Sequence, residues 1–289
     1  MKTVAKVVVC AVAYMLGVSL TWTLVGALHL PAPHPIPGVT TGGLLFGMSL
    51  GTLLLAAGLV PLAVGLGGSR PRRSGALFVV ILVAVGLNTM IEATVFSTFV
   101  TVGIAWMTAQ YVLPSLLLAT ALAVLFSKNE KQSEPPRFSA AQWAWRLVVA
   151  WVAFPAIYWV FGMCVAPFVL FAYRAGIAGL TVPPVPVILR TVFIRSALFL
   201  VSSLPIIALW SGSRRSLFIA FGVAESMMVG IFGLVQASWF PMTLRVAHSI
   251  EITLDSFAYI GVLVLLFAAR KQSGTANADA ANLRENVVA

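Results

Sequence analysis

The apolar residues of this chain run together, eight times over, in unbroken stretches of about 20 residues, the length of helix that crosses a hydrocarbon core. That one feature decides the solvent. With 60% hydrophobic and only 9% charged residues, against about 45–50% and about 25% in soluble domains, the chain has more apolar side chain than a water-facing surface can hide. In lipid, every backbone polar group must bond within its own segment or within a closed barrel. The runs are continuous rather than alternating, which selects helices over barrel strands. The expectation is an all-α, polytopic integral membrane bundle of about eight transmembrane helices in a bacterial-type inner or plasma membrane, with membrane lipids as its surroundings.

The spans are expected at about 7–28, 40–66, 75–96, 102–126, 147–168, 187–210, 216–235 and 250–269. The first follows Lys2 and Lys6 as a signal peptide would, but its apolar run exceeds the roughly 7–15 residues of a signal core and is expected to stay as a helix. The loops set direction. Lys2, Lys6, Arg70, Arg72, Arg73, Lys128, Lys131, Arg137, Arg146, Arg214, Arg215, Arg270, Lys271 and Arg284 all fall on one side, every lysine among them. The positive-inside rule makes that side cytoplasmic and both termini with it. The net charge of +10, which in a soluble protein would point to nucleic acid, is explained by this topology, and no nucleic-acid partner is expected.

A single transmembrane domain is expected over 1–271, with a polar, small-residue-rich tail at 272–289 that composition marks as disordered. The polar segment 127–141, with Pro135-Pro136, separates two sets of four spans, 1–126 and 142–271. The sets share punctuation: prolines follow the first and fifth spans, two arginines and a serine open the third and seventh, and Leu-Phe closes the fourth and eighth. Four-helix halves would share one orientation, as parallel repeats do. Against a repeat, Glu92 and Glu225 do not fall at matching offsets. Cys10 and Cys164 are placed at opposite membrane faces, too far apart to bridge.

Eight charges break the apolar pattern, all in the outer half: Glu92, Arg174, Arg190, Arg195, Glu225, Arg245, Glu251 and Asp255. A charge within a bilayer costs at least about 2.5–3.5 kcal/mol, so it persists by pairing, by facing water, or by carrying function. Asn88 stands one turn before Glu92 on the same face, and His248, Glu251 and Asp255 follow at helical spacings of three and four. Arg174 and Arg245 are assigned to the outer connections, and the proline-rich stretch 166–186 to the outer interface above the charges. Four arginines balance four acids, as a self-paired network would, and Arg195 is expected to face Asp255 or Glu225.

The candidate substrate-binding set is Glu92, Arg190, Arg195, Glu225, Arg245, His248, Glu251 and Asp255. No zinc signature, nucleophile elbow or phosphate loop occurs, and neither a metal nor a cofactor is expected, although His29 and His34 lie on the same side as His248. Whether the chain is an enzyme stays open. The leading expectation is binding and transport of an anionic or amphiphilic solute through an outward-facing pocket, with arginine as the anion handle. Two alternatives stand beside it: a membrane-embedded enzyme on a lipid-linked substrate, with His248 or Glu251 as acid/base, and a structural subunit of a membrane complex.

Overall fold

The computed structural model describes residues 2–31, 39–98, 103–126 and 138–268; His34, most of the 127–141 segment and the 272–289 tail lie outside the described residues. Among the described residues, eight helices are long and apolar enough to cross a membrane: α1 (Thr3–Ala27), α2 (Thr41–Gly65), α3 (Arg70–Phe96), α4 (Ile104–Leu125), α5 (Ala140–Arg174), α6 (Val185–Leu209), α7 (Arg214–Gln236) and α8 (Met242–Phe267). The chain is thus an all-α, multi-pass membrane bundle.

Several helices run beyond the hydropathy limits. α5 continues past residue 168 to Arg174, carrying Pro155 and Pro167 within it. α8 begins at Met242, eight residues before its apolar run, with Pro241 as the residue that starts it. Arg174 and Arg245 therefore lie on helices and not in connections. The cause is general: apolarity marks the depth of the hydrocarbon, while a helix stops only where its backbone bonds do. A transmembrane helix tolerates proline because neighbouring helices keep it in place. α3 likewise starts at Arg70, with Pro71 in its first turn, where a missing N–H is harmless.

Matching positions in the two sets of four helices are joined by matching contacts. α1 packs on α4 and α5 on α8; α3 on α4 and α7 on α8; α1 on α2 and α5 on α6; α2 on α7 and α3 on α6. α2 and α6 are both 25 residues long and carry Pro61 and Pro205 at the same register. Ser69 and Ser213 precede α3 and α7. Each of those helices then widens into a π-helical turn, Leu82–Leu87 and Met227–Ile231, around Gly86 and Gly230. A Cβ at Gly86 would come 2.9 Å from the Tyr111 Cβ, and one at Gly230 would come 2.7 Å from the Ile252 side chain, so both glycines are needed for close approach.

The two sets meet at a reciprocal backbone contact. Leu66 and Trp210 pair in an antiparallel bridge; the Gly67 N–H donates to the Leu209 carbonyl at 2.7 Å and the Ser211 N–H to the Gly65 carbonyl at 3.0 Å. Exchange of one set for the other turns each bond into its partner. At the same basic end, Lys6 donates to the last-turn carbonyl of Leu125 and Arg146 to that of Leu266, again at matching positions. Cations there complement the C-terminal ends of α4 and α8. Along α4 the buried face is Ser115, Leu118, Ala119, Leu122, Ala123 and Phe126; along α8 it is Ser256, Tyr259, Ile260, Leu263, Val264 and Phe267. Cys10 is buried, Cys164 exposed, and both are free.

Candidate functional site

Arg195 is held in the middle of the α3–α6 junction, only 3% exposed. Its Nη2 lies 2.7 Å from Glu92 Oε1, and its Nε–H donates to Asn88 Oδ1 at 2.7 Å. Asn88 and Glu92 occupy successive turns of α3 immediately after the π turn, which shifts the helical face and aims both at α6. Rings from Phe154, Tyr158 and Phe199 surround the guanidinium at 5.6, 5.6 and 5.8 Å from their centroids, within cation–π range. The pairing of Arg195 with Asp255 or Glu225, expected from sequence, is therefore corrected: the partner is Glu92. Depth along single helices puts Glu92 near the surface and Arg195 deeper. The long arginine side chain spans that difference.

A second group sits beside it on α8. His248 Nδ1 lies 2.5 Å from Glu251 Oε2, and His248 Nε2 lies 3.2 Å from the Tyr173 hydroxyl. In the tautomer whose Nδ1–H donates to Glu251, Nε2 accepts from the Tyr173 hydroxyl. Tyr173 comes from the last turn of α5, the part of that helix that hydropathy omits. Gly162, also on α5, leaves room for the Glu251 carboxylate, 3.5 Å from where a Cβ would stand. Asp255 stands one turn further along α8. Tyr158 of α5 lies over the Arg195 guanidinium, and α5 also carries Tyr173, which meets His248.

Other members of the sequence-derived set are elsewhere. Arg190 is exposed near the start of α6, as Arg174 is at the end of α5. Arg245 donates to the Leu234 and Val235 carbonyls at 2.7 and 3.1 Å, closing the end of α7 rather than serving the cluster. Glu225 is buried on α7, and the ion-pair partner of Arg195 is Glu92. The partner of Glu251 is His248. Tyr158, Tyr259 and Ser196 went unnoticed in the sequence, because a tyrosine or serine within an apolar run resembles ordinary packing.

The cluster is closed but not saturated. Arg195 Nη1, Asn88 Nδ2 and Asp255 Oδ1 are buried without hydrogen-bond partners among the described residues, two donors and an acceptor. Glu92, with its side chain 33% exposed, is the open edge. An open groove of about 420 Å³ lies on a different face of α8, between Leu234 and Val235 of α7 and Met242, Val246 and Ile250, with Arg245 also in its lining. Among the described residues, no three His, Cys, Asp or Glu side chains gather as a metal-binding group.

The positions of the other set of helices that match this cluster carry none of its charge. Where Arg195 meets Glu92 and Asn88, Gly51 meets Gln236 and Phe232: a Cβ on Gly51 would lie 3.3 Å from Gln236 Cγ and 3.1 Å from the Phe232 carbonyl oxygen. Where His248 meets Glu251, the Gln110 Nε2–H reaches Met107 Sδ at 3.6 Å. Pro114 stands where Asp255 does, packed against Gly17. Compared with protein-family models, curated proteins and solved structures, the chain matches none.

Proposed function

We propose that the chain is a membrane solute-binding and transport protein, built of two four-helix units, whose single site lies at the outer junction of α3, α5, α6 and α8. The observation that carries this is the uncharged twin. If the Arg195–Glu92–Asn88 and His248–Glu251 groups served only to hold helices in register, the matching junction would need an equivalent; it is packed with Gly51, Gln236, Phe232, Met107, Gln110 and Pro114 instead. A buried ion pair seldom stabilises more than apolar packing of the same volume, so its retention on one side only points to use.

The solute class is set by the atoms left without partners. Arg195 Nη1 and Asn88 Nδ2 suit a carboxylate or other anionic acceptor, and Asp255 Oδ1 suits an adjoining ammonium or hydroxyl donor. With Arg190, Arg174 and Arg245 away from the cluster, the site holds one guanidinium, already paired to Glu92. A small solute with both acceptor and donor fits better than a purely anionic one. An enzyme acting on lipid would need the apolar groove and the His248–Glu251 pair in one place, and they lie on different faces of α8.

The test is thermal stabilisation of the full chain in nanodiscs by small carboxylates, amino acids and hydroxy acids. At 100 times its Kd, a ligand stabilises by about 2.7 kcal/mol, a clear rise in Tm. A compound that stabilises the wild type but not Arg195→Gln or Glu251→Gln, each folded on its own, supports the reading. If both variants melt much earlier and a stabilising second-site change restores the cellular phenotype, the cluster is scaffold and the reading is wrong.

A further inference from the structure

α7 and α8 pack tightly where Gly222 and Gly230 admit the Phe257 and Ile252 side chains, each 2.7 Å from where a Cβ would stand. Toward the end of the bundle that carries the charged cluster, the groove of about 420 Å³ opens between the same two helices. Its α8 wall is a stripe of exposed apolar side chains at spacings of four, Met242, Val246, Ile250 and Leu254. Leu234 and Val235 of α7 form the facing wall. The hydroxyls in the lining are closed on their own helix: Ser249 donates to the Arg245 carbonyl and Thr253 to the Ser249 carbonyl, each at 2.7 Å. The groove therefore offers hydrocarbon contact and one charge, Arg245.

Arg245 is half-buried in the first turn of α8. Its Nε and Nη2 hold the Leu234 and Val235 carbonyls, which leaves Nη1 without a hydrogen bond among the described residues. The ion pairs among those residues join Arg195 to Glu92 and His248 to Glu251, and no carboxylate neutralises Arg245. The matching place on α4 is taken by Ile104, so a helix at this position does not itself require arginine. Trp239 and Phe240 pack together just before Pro241 starts α8, as residues of an interfacial aromatic belt do, which sets Arg245 near headgroup depth. From Met242 to Leu254 the stripe is about 18 Å long at the helical rise, enough to cross one leaflet of a hydrocarbon core about 30 Å thick.

We propose that the groove binds one anionic phospholipid, with an acyl chain along the Met242–Leu254 stripe and the phosphate at Arg245. An arginine with a free donor and no counter-charge is costly at the edge of the hydrocarbon. A phosphate supplies both the charge and the acceptor. A zwitterionic lipid brings its own cation beside the phosphate and competes with Arg245, while a free phosphate leaves the apolar stripe uncovered. The site is separate from the Arg195 cluster and does not rest on the solute proposed there.

Native mass spectrometry of the full chain, released from detergent with phosphatidylglycerol or phosphatidylcholine of the same acyl chains, tests it. The wild type should keep one phosphatidylglycerol, bound about fivefold or more tighter than phosphatidylcholine, the preference that one cation supplies at an anionic surface. Arg245→Gln should bring the two lipids to equal affinity. That change also frees the end of α7, so Ile250→Trp is the second variant. Ile250 is exposed, and the larger side chain fills the groove with Arg245 left in place, which should weaken phosphatidylglycerol binding by a similar factor. Glycerophosphate alone should not displace the lipid. Equal binding of the two lipids by the wild type would make the groove ordinary boundary surface and overturn the proposal. A preference that survives Arg245→Gln would remove the headgroup contact, and one that survives Ile250→Trp would remove the chain seat; either overturns it. Displacement by glycerophosphate would leave a phosphate site without a lipid, and a dimer that Ile250→Trp breaks would give the groove to a second copy of the chain.

Discussion

Replacing Arg195 by glutamine takes away the guanidinium that Glu92 and Asn88 share, and the two losses differ in kind. Arg195 is buried, so breaking its pair should cost about 3–5 kcal/mol, whereas Glu92→Gln should cost less because a third of that side chain is left uncovered by the protein. Chemical unfolding of the two single variants and the double should show strong coupling; additive losses would mean that the contact carries no energy. Tyr173→Phe makes a finer test. It removes only the hydroxyl beside His248 Nε2 and should leave stability within about 1 kcal/mol while weakening ligand stabilisation. An unchanged ligand response would place Tyr173 outside the site.

Among elements, the helices differ in how closely they let neighbours approach. At Gly17 on α1, a Cβ would lie 2.5 Å from the Pro114 backbone, which cannot move aside. Gly17→Ala should therefore destabilise by about 1–3 kcal/mol or more. Gly26→Ala on the same helix meets nothing within 4 Å and should be neutral or stabilising by about 0.5–1 kcal/mol, since alanine orders more readily in a helix. Melting in one detergent compares them directly; equal effects would mean that the α1–α4 junction is looser than described. The π turns act at this scale too. Each adds a residue to its helix and so rotates the next turns about the axis, which on α3 brings Asn88 and Glu92 round to α6.

For the whole molecule, the reciprocal Leu66–Trp210 bridge and the paired Lys6 and Arg146 carbonyl contacts mark one end as basic. By the positive-inside rule we propose that this end is cytoplasmic. In a background lacking Cys10 and Cys164, Ser69→Cys and Ser213→Cys should resist a membrane-impermeant thiol reagent added outside, and Thr181→Cys should react. The reverse pattern would invert the molecule and put the charged cluster inside. The two four-helix units also predict that residues 1–126 and 138–289, expressed as separate chains, reassemble in the membrane and co-purify. Failure of every such pair to associate would count against two units.

The solvent, the helix count and the rough limits of each span were written in the sequence, because burial in lipid requires apolar length and each helix satisfies its own backbone. The eight charges were legible as exceptions to the apolar pattern, since a charge within an apolar stretch is costly. Their partners were not. Pairing depends on the rotation and tilt of each helix, and these are set by features with little hydropathy signal: the π turns near Gly86 and Gly230, the extra turns that carry Tyr173 and Arg245, and the glycines that bring α1, α2 and α7 close to their neighbours. For that reason Arg195 could be picked out but was expected on Asp255 or Glu225 when it meets Glu92. The correspondence between the two sets of helices was blurred for the same cause. Sequence compares residue types, and the charged positions differ between the sets, whereas the tertiary structure compares places, and there Arg195 stands opposite Gly51.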